Sequence, residues 1–277
     1  MTVTDVVESY INDRSGVLRP RTIEQYRDLL DRYITPFIGD MPADQFTGED
    51  ARLLIDLVGA QHGRTAELLY ILLRASLGDA LRGIRKPRYT HRQMEIWTDD
   101  QMQVYQTALR DHPHGVALAL GIYMGLRRGE ICGLRWGDLN FNTGRCFIHN
   151  QRMRLASGAI VDGPPKSATS CRVIPIPSGI VDWLRGAAGA DTEYVDAITP
   201  SGLYHAHRRL CARLGLPPLS LHGLRHCMAT RCLRAGGDAR ALQSLLGHST
   251  VAVTLDIYTH PDMHMLSTCI NLGVVGT

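Results

Sequence analysis

Lysine is almost absent from this chain: of its 30 basic residues, all but Lys86 and Lys166 are arginine. Membrane-length apolar runs are missing too. No stretch approaches the roughly 18–20 residues a helical span needs, and the acidic N-terminus lacks the basic-then-apolar order of a signal peptide, so a cytoplasmic location is expected. The cysteines at 132, 146, 171, 211, 227, 232 and 269 form an odd, scattered set with no Cys-x-x-Cys pair. That argues against a disulfide framework or a thiolate metal site and for reduced structural thiols. There is no internal repeat and no low-complexity segment. The net charge is only +3, too small by itself to demand a nucleic-acid partner.

What is present is enough apolar material, 44%, to build packed cores, over 277 residues, a length that suggests two domains. The charge is unevenly spread: residues 1–95 hold 13 basic and 14 acidic side chains, residues 96–277 hold 17 and 13. Between Ala80 and Met94 lie Arg82, Arg85, Lys86, Arg88 and Arg92 with no acid among them. Such a run reads either as a solvated surface or as a segment that tracks phosphates.

Apolar spacing predicts helices over Thr4–Asp13, Arg21–Ile34, Gly48–Leu57 and Thr65–Leu81, with Pro36, Gly39 and Pro42 breaking the chain between the second and third. This gives a helical domain over 1–81 and a basic linker over 82–95. A second domain over 96–277 opens on the capping box Thr98–Gln101 and continues as a buried helix over Val116–Leu126, whose pattern runs on through Ile131 and Leu134. Strands are expected at Arg145–His149, around Ala159–Val161 and at Cys171–Ile176, and helices from Ser178 and Thr199-Pro200 onward. The fold class is therefore mainly α with one small antiparallel sheet.

Four separated spots carry side chains suited to chemistry: Gly125-Leu126-Arg127-Arg128-Gly129-Glu130, Pro165-Lys166-Ser167, His222-Gly223-Leu224-Arg225-His226, and Gly247-His248 followed ten residues later by Tyr258. His222, Arg225 and His226 share one helical face. A zinc site on the two histidines is disfavoured, because Arg225 would set a cation beside the metal. His248 and Tyr258 cannot lie on one straight helix and reach one atom, since ten residues span about 15 Å. A bend is expected, with Ser249-Thr250 as the break.

In chain order these spots resemble the tyrosine-recombinase (phage integrase) family, whose pattern is Gly-x-Arg-x-x-Glu, a lysine on a β-hairpin, His-x-x-Arg, Gly-His and a tyrosine about ten residues on. The resemblance covers residues 98–262, and the front domain is similar in general pattern to the family's core-binding domain. It implies a mixed α/β catalytic domain in which Arg127 and Arg225 grip a DNA phosphate, with His222 and His248 around it and Glu130 and His226 in support. Tyr258 would be the nucleophile of a 3′-phosphotyrosyl intermediate. Lys166 would protonate the leaving 5′ oxygen, and the composition agrees: an ammonium can give up a proton, whereas arginine is effectively never deprotonated. Met124, Ser167 and Cys227 depart from the usual residues without removing a reactive group.

The resemblance further implies double-stranded DNA with core-type sites as substrate, a homo-tetramer on DNA, and neither metal nor nucleotide cofactor. An accessory directionality factor is open. With helices starting by about Thr4, no arm-binding domain is expected in front of them. Two rival readings share features: a type IB topoisomerase-like DNA-relaxing enzyme, and a helix-turn-helix regulator built from Leu221–Arg234 and Asp238–Leu246, which explains neither Lys166 nor Tyr258.

Overall fold

The computed structural model of the 277-residue chain describes residues 1–18, 20–88, 96–155, 158–165 and 170–247, which divide into a unit within 1–93 and a unit from 94 onward. No helix among the described residues is long and apolar enough to cross a membrane.

The first unit is helical. α1 (Val3–Asp13) is capped by Thr2, whose hydroxyl accepts from the Asp5 N–H while the Asp5 carboxylate accepts from the Thr2 N–H. Its Val3, Val7 and Ile11 recur every four residues and are buried. α2 (Pro20–Leu29) buries Ile23, Tyr26 and Leu29. The break expected at Pro36 does not occur: a π-helical turn over Leu30–Ile34 leads directly into the short α3 (Thr35–Ile38). The physical reason is the widened turn. The Thr35 N–H reaches back five residues to the Leu30 carbonyl, and Pro36, at the first turn of α3, has no N–H to leave unpaired. α4 (Gly48–Gly59) and α5 (Gly63–Ser76) pack against each other, and Leu54, Ile55, Leu69, Leu72 and Leu73 lie in the unit's core. Leu81 is buried in the same core, the Tyr70 hydroxyl donates to the Ile84 carbonyl at 3.1 Å, and Lys86 Nζ lies 2.6 Å from Glu67. The start of the basic stretch is thus folded onto the helices.

In the second unit, α6 (Asp99–Ala108) carries the capping box read from Thr98 and Gln101. α7 (Gly115–Met124) is buried almost all round. The expected helical continuation through Leu126 to Leu134 is corrected. Gly125 adopts φ +66°, ending α7, and a separate α8 covers Arg128–Gly133. One sheet was expected and two are found. β1 (Leu139–Asn140), β2 (Arg145–Ile148) and β5 (Arg172–Pro175) form an antiparallel sheet in the order β1-β2-β5, with Cys146 opposite Ile174. β3 (Gln151–Arg154) and β4 (Ile160–Gly163) form a separate antiparallel pair. The segment expected around Ala159–Val161 therefore pairs with β3 rather than with the other two expected strands. Helices α9 (Ser178–Gly186), α10 (Pro200–Arg213), α11 (Leu221–Arg234) and α12 (Ala239–Leu246) complete the described unit. Its core draws Leu118, Leu120 and Ile122 of α7 together with Leu224 and Cys227 of α11 and Ile174 of β5.

Candidate active site

Three segments converge: the turn from α7 into α8, the first half of α11 and the end of α12. Arg127 sits in extended conformation (ψ 151°) just ahead of α8, not inside a helix as the sequence pattern suggested, yet Glu130 still reaches it. The Arg127 backbone N–H donates to Glu130 Oε2 at 2.9 Å and its Nη1 donates to Oε1 at 2.8 Å. A carboxylate at the third helical residue satisfies an orphan N–H and favours the positive end of the helix. Glu130 is 2% exposed, whereas the Arg127 side chain is 34% exposed.

Arg225 is the largest fully buried side chain among the described residues. It projects from the second turn of α11, which is capped by Ser220, and reaches Gly125 O at 2.8 Å through Nη1 and Leu246 O at 2.6 Å through Nη2. Burial, and after it the charge of Arg127, lowers its pKa to about 9, which leaves it cationic at neutral pH. His222 and His226 meet edge to face, with ring centroids 4.6 Å apart. The protein around His222, then His226, Arg225 and Arg127, pulls its pKa down to about 4. Burial and Arg225 lower that of His226 as well. Both imidazoles are therefore neutral at pH 7 and available as hydrogen-bonding or proton-accepting groups.

A further arginine, not singled out from the sequence, completes the cluster. Arg172 at the start of β5 forms a two-point fork on Glu130, Nη1 to Oε1 and Nη2 to Oε2, each at 3.0 Å. A signal was available: inward positions alternate along a strand, so with Ile174 and Ile176 buried, Arg172 must face inward and find a carboxylate. Burial pushes the Glu130 carboxyl up, but hydrogen bonds and charge from Arg172, then Arg127, outweigh it and hold it below the usual range.

The three guanidiniums also grip three consecutive carbonyls at the end of α12: Arg172 Nε on Leu245 at 2.6 Å, Arg225 Nη2 on Leu246 at 2.6 Å and Arg127 Nη2 on Gly247 at 2.8 Å. Among the described residues three cations thus face one carboxylate, an excess of positive charge suited to a polyanion. The structure brings together Arg127, Glu130, His222, Arg225 and His226. Lys166, His248, Tyr258 and the expected break at Ser249-Thr250 lie outside the described residues, as does Arg92. Arg82, Arg85, Lys86 and Arg88 belong to the first unit. Among the described residues no group of three or more His, Cys, Asp or Glu is arranged to hold a metal ion.

The phage integrase family model matches residues 98–265, more than half of the chain, and the N-terminal SAM-like domain of phage integrases matches residues 2–54. The chain belongs to the phage integrase family. A tyrosine recombinase XerC-like protein of Caldanaerobacter subterraneus subsp. tengcongensis is 28% identical over 201 residues, covering 61% of this chain and 51% of that protein. Tyrosine recombinase XerC of Xylella fastidiosa is 28% identical over 200 residues, 67% of this chain and 62% of the relative. The chain thus spans between half and two thirds of the curated relatives it matches. Among solved structures, the Tn1549 transposon integrase in complex with transposon right end DNA superposes with a TM-score of 0.83 at 19% identity, covering 98% of this chain and 99% of that one. A lambda integrase tetramer bound to a Holliday junction gives 0.71 at 16% identity, covering 95% and 80%. At these identities the likeness establishes the fold: a family-type catalytic domain, mainly helical with small antiparallel sheets, that follows a helical domain in the sequence.

Proposed function

We propose that this chain is a site-specific DNA recombinase that breaks and rejoins strands through a phosphotyrosyl intermediate on Tyr258. The observation that carries the reading is the convergence of Arg127 and Arg225 beside neutral His222, at the point where the chain leaves α12 toward His248 and Tyr258. Guanidinium forks match phosphate oxygens and stabilise the extra charge of a pentavalent transition state. A free tyrosine is almost wholly protonated at neutral pH, so it needs such cations and a base nearby to act as nucleophile. In this reading Tyr258 attacks a DNA phosphate, its phenolic proton passes to a neighbouring base, and Lys166 protonates the departing 5′ oxygen. The freed 5′ hydroxyl of a partner duplex then reverses the step, so the phosphodiester bond energy is conserved and no nucleotide hydrolysis is required.

The substrate is double-stranded DNA with core-type sites, and the basic residues Arg82, Arg85, Lys86, Arg88 and Arg92 contribute backbone contacts. By likeness to the lambda integrase tetramer, four protomers would act on two duplexes. Integration or excision of a phage or other mobile element, in the cytoplasm of its host, is the biological setting proposed. The test uses nicked duplexes tiling the DNA that flanks the gene. The wild type should form a covalent protein–DNA adduct on one of them, with or without EDTA. Tyr258→Phe should bind the same duplex and form none. An adduct that persists in Tyr258→Phe would move the nucleophile elsewhere, and a strict divalent-metal requirement would contradict the scheme.

A further inference from the structure

Arg127 and Arg172 compete for one carboxylate, and the competition is unequal. Arg172 is 6% exposed, engages both oxygens of Glu130, and gives its remaining bonds to Ser170 O at 3.0 Å and Leu245 O at 2.6 Å. Arg127 offers Glu130 a single side-chain bond, and its side chain is a third exposed. Glu130 thereby accepts four hydrogen bonds, two on each oxygen: Oε1 from Arg127 Nη1 and Arg172 Nη1, Oε2 from the Arg127 backbone and Arg172 Nη2. That is about the full capacity of a carboxylate. With Arg172 in its fork, the charge of Glu130 is matched from inside the protein, and the charge of Arg127 is left for a ligand. Without Arg172, the only side-chain cation bonded to this buried carboxylate among the described residues would be Arg127, and the pair would close into an internal ion pair.

We propose that Arg172 is a positioning residue for Arg127: by neutralising Glu130 through a two-point fork and holding the end of α12 through Leu245, it presents the Arg127 guanidinium to phosphate. The role rests on the recombinase reading of the site, and it predicts a graded chemistry. Lysine at 172 keeps the charge but loses the fork, while methionine loses both.

The experiment has two arms. In single-turnover cleavage of a nicked duplex that gives an adduct with the wild type, Arg172→Met should slow the step by about 100-fold, the order expected of a misplaced reacting group, while duplex affinity changes by less than about threefold. Arg172→Lys should fall between. Its acid limb should move to higher pH, because Glu130 protonates more easily without the fork, and that movement should vanish in Arg172→Met combined with Glu130→Gln. A merely structural arginine would lower the folded fraction and leave the pH profile of the folded protein in place. The paired replacement also leaves neither member of the Arg172–Glu130 pair buried without the other, so it stays usable if Arg172→Met alone does not fold.

The second arm needs neither a target site nor chemistry: inorganic phosphate is titrated while the side-chain nitrogen signals of Arg127 are followed by NMR. Phosphate should bind at least about fivefold more weakly to Arg172→Lys than to the wild type, and the paired replacement should regain part of the loss. An unchanged phosphate affinity with an unmoved pH profile overturns the positioning role. Absence of any adduct from the wild type would instead overturn the recombinase reading, with the phosphate titration still deciding the part played by Arg172.

Discussion

Replacing Lys166 by arginine keeps its charge and removes its exchangeable proton, since a guanidinium is effectively never deprotonated. If Lys166 is the general acid, Lys166→Arg should therefore lose about 10²- to 10⁴-fold in cleavage rate. A substrate with a 5′-phosphorothiolate, whose sulfur leaves without a proton, should restore cleavage in Lys166→Ala. A phosphate-gripping lysine would show the opposite pattern, with arginine tolerated and no rescue by sulfur. At this scale the site was legible wherever its residues are close in sequence. Arg127 and Glu130 stand three apart, and His222, Arg225 and His226 lie on consecutive turns, so spacing alone places them together. Arg172 was missed because its partner Glu130 is 42 positions away, and pairing over that distance is set by the fold. Only the inward alternation of its strand hinted at it.

Helices with local start signals were legible as elements. Thr98 with Gln101 and Thr199 before Pro200 each place a cap where the structure has one, because the hydroxyl meets an N–H only three residues on. Breaks inside apolar stretches were not legible, for the burial pattern continues across them. Gly125 sits within buried Met124–Leu126, so periodicity runs straight through the point where the backbone turns left-handed. The break matters to the site, since the Gly125 carbonyl accepts from Arg225. Gly125→Ala should lose about 1–2 kcal/mol from its backbone alone. An added methyl would further overlap Met228 Cε and lie 3.0 Å from the side chain of Leu246, whose carbonyl also binds Arg225. Gly144→Ala is the control: φ is +64° there, with no atom within 4 Å of the added carbon. Urea denaturation should show both variants destabilised, Gly125→Ala the more, and only Gly125→Ala should lose adduct formation. Equal stability losses and unchanged cleavage would mean that the turn does not set the arginine.

Each unit has its own hydrophobic core, and all three tryptophans, Trp97, Trp136 and Trp183, fall in the second, so tryptophan fluorescence reports the unfolding of that unit alone. Trp97 lies 4.9 Å from the ring of Tyr105 and 6.1 Å from that of His207, and its indole N–H donates to Pro217 O at 3.0 Å. His207 is fully buried. One ring nitrogen, Nε2, lies 2.9 Å from the Leu219 carbonyl and so must carry the proton, which leaves Nδ1 to accept from the Tyr105 hydroxyl at 2.7 Å. A second proton on this ring would have no water to solvate it and would face a donor. Burial accordingly lowers the pKa of His207 from 6.5, and those of His112, His222 and His226, in the same unit, are lowered too. The sign follows from linkage: below 6.5 the unfolded chain takes up protons that the folded one refuses, so stability is full above that pH and is lost as pH falls. The loss continues toward about 4, where folded His222 titrates. Each kcal/mol lost should lower the midpoint of a unit this size by about 2–4 °C. Thermal unfolding followed by tryptophan fluorescence should therefore show a midpoint that is level from pH 8 to 7 and falls steadily from 6.5 to 5. His207→Gln should unfold at a lower temperature and show a shallower fall, because one refused proton is gone. A midpoint unmoved between pH 7 and 5, in buffers of equal ionic strength, would mean that these imidazoles take up protons as readily folded as unfolded, and the neutral state assigned to His222 and His226 beside the arginines would fall with it.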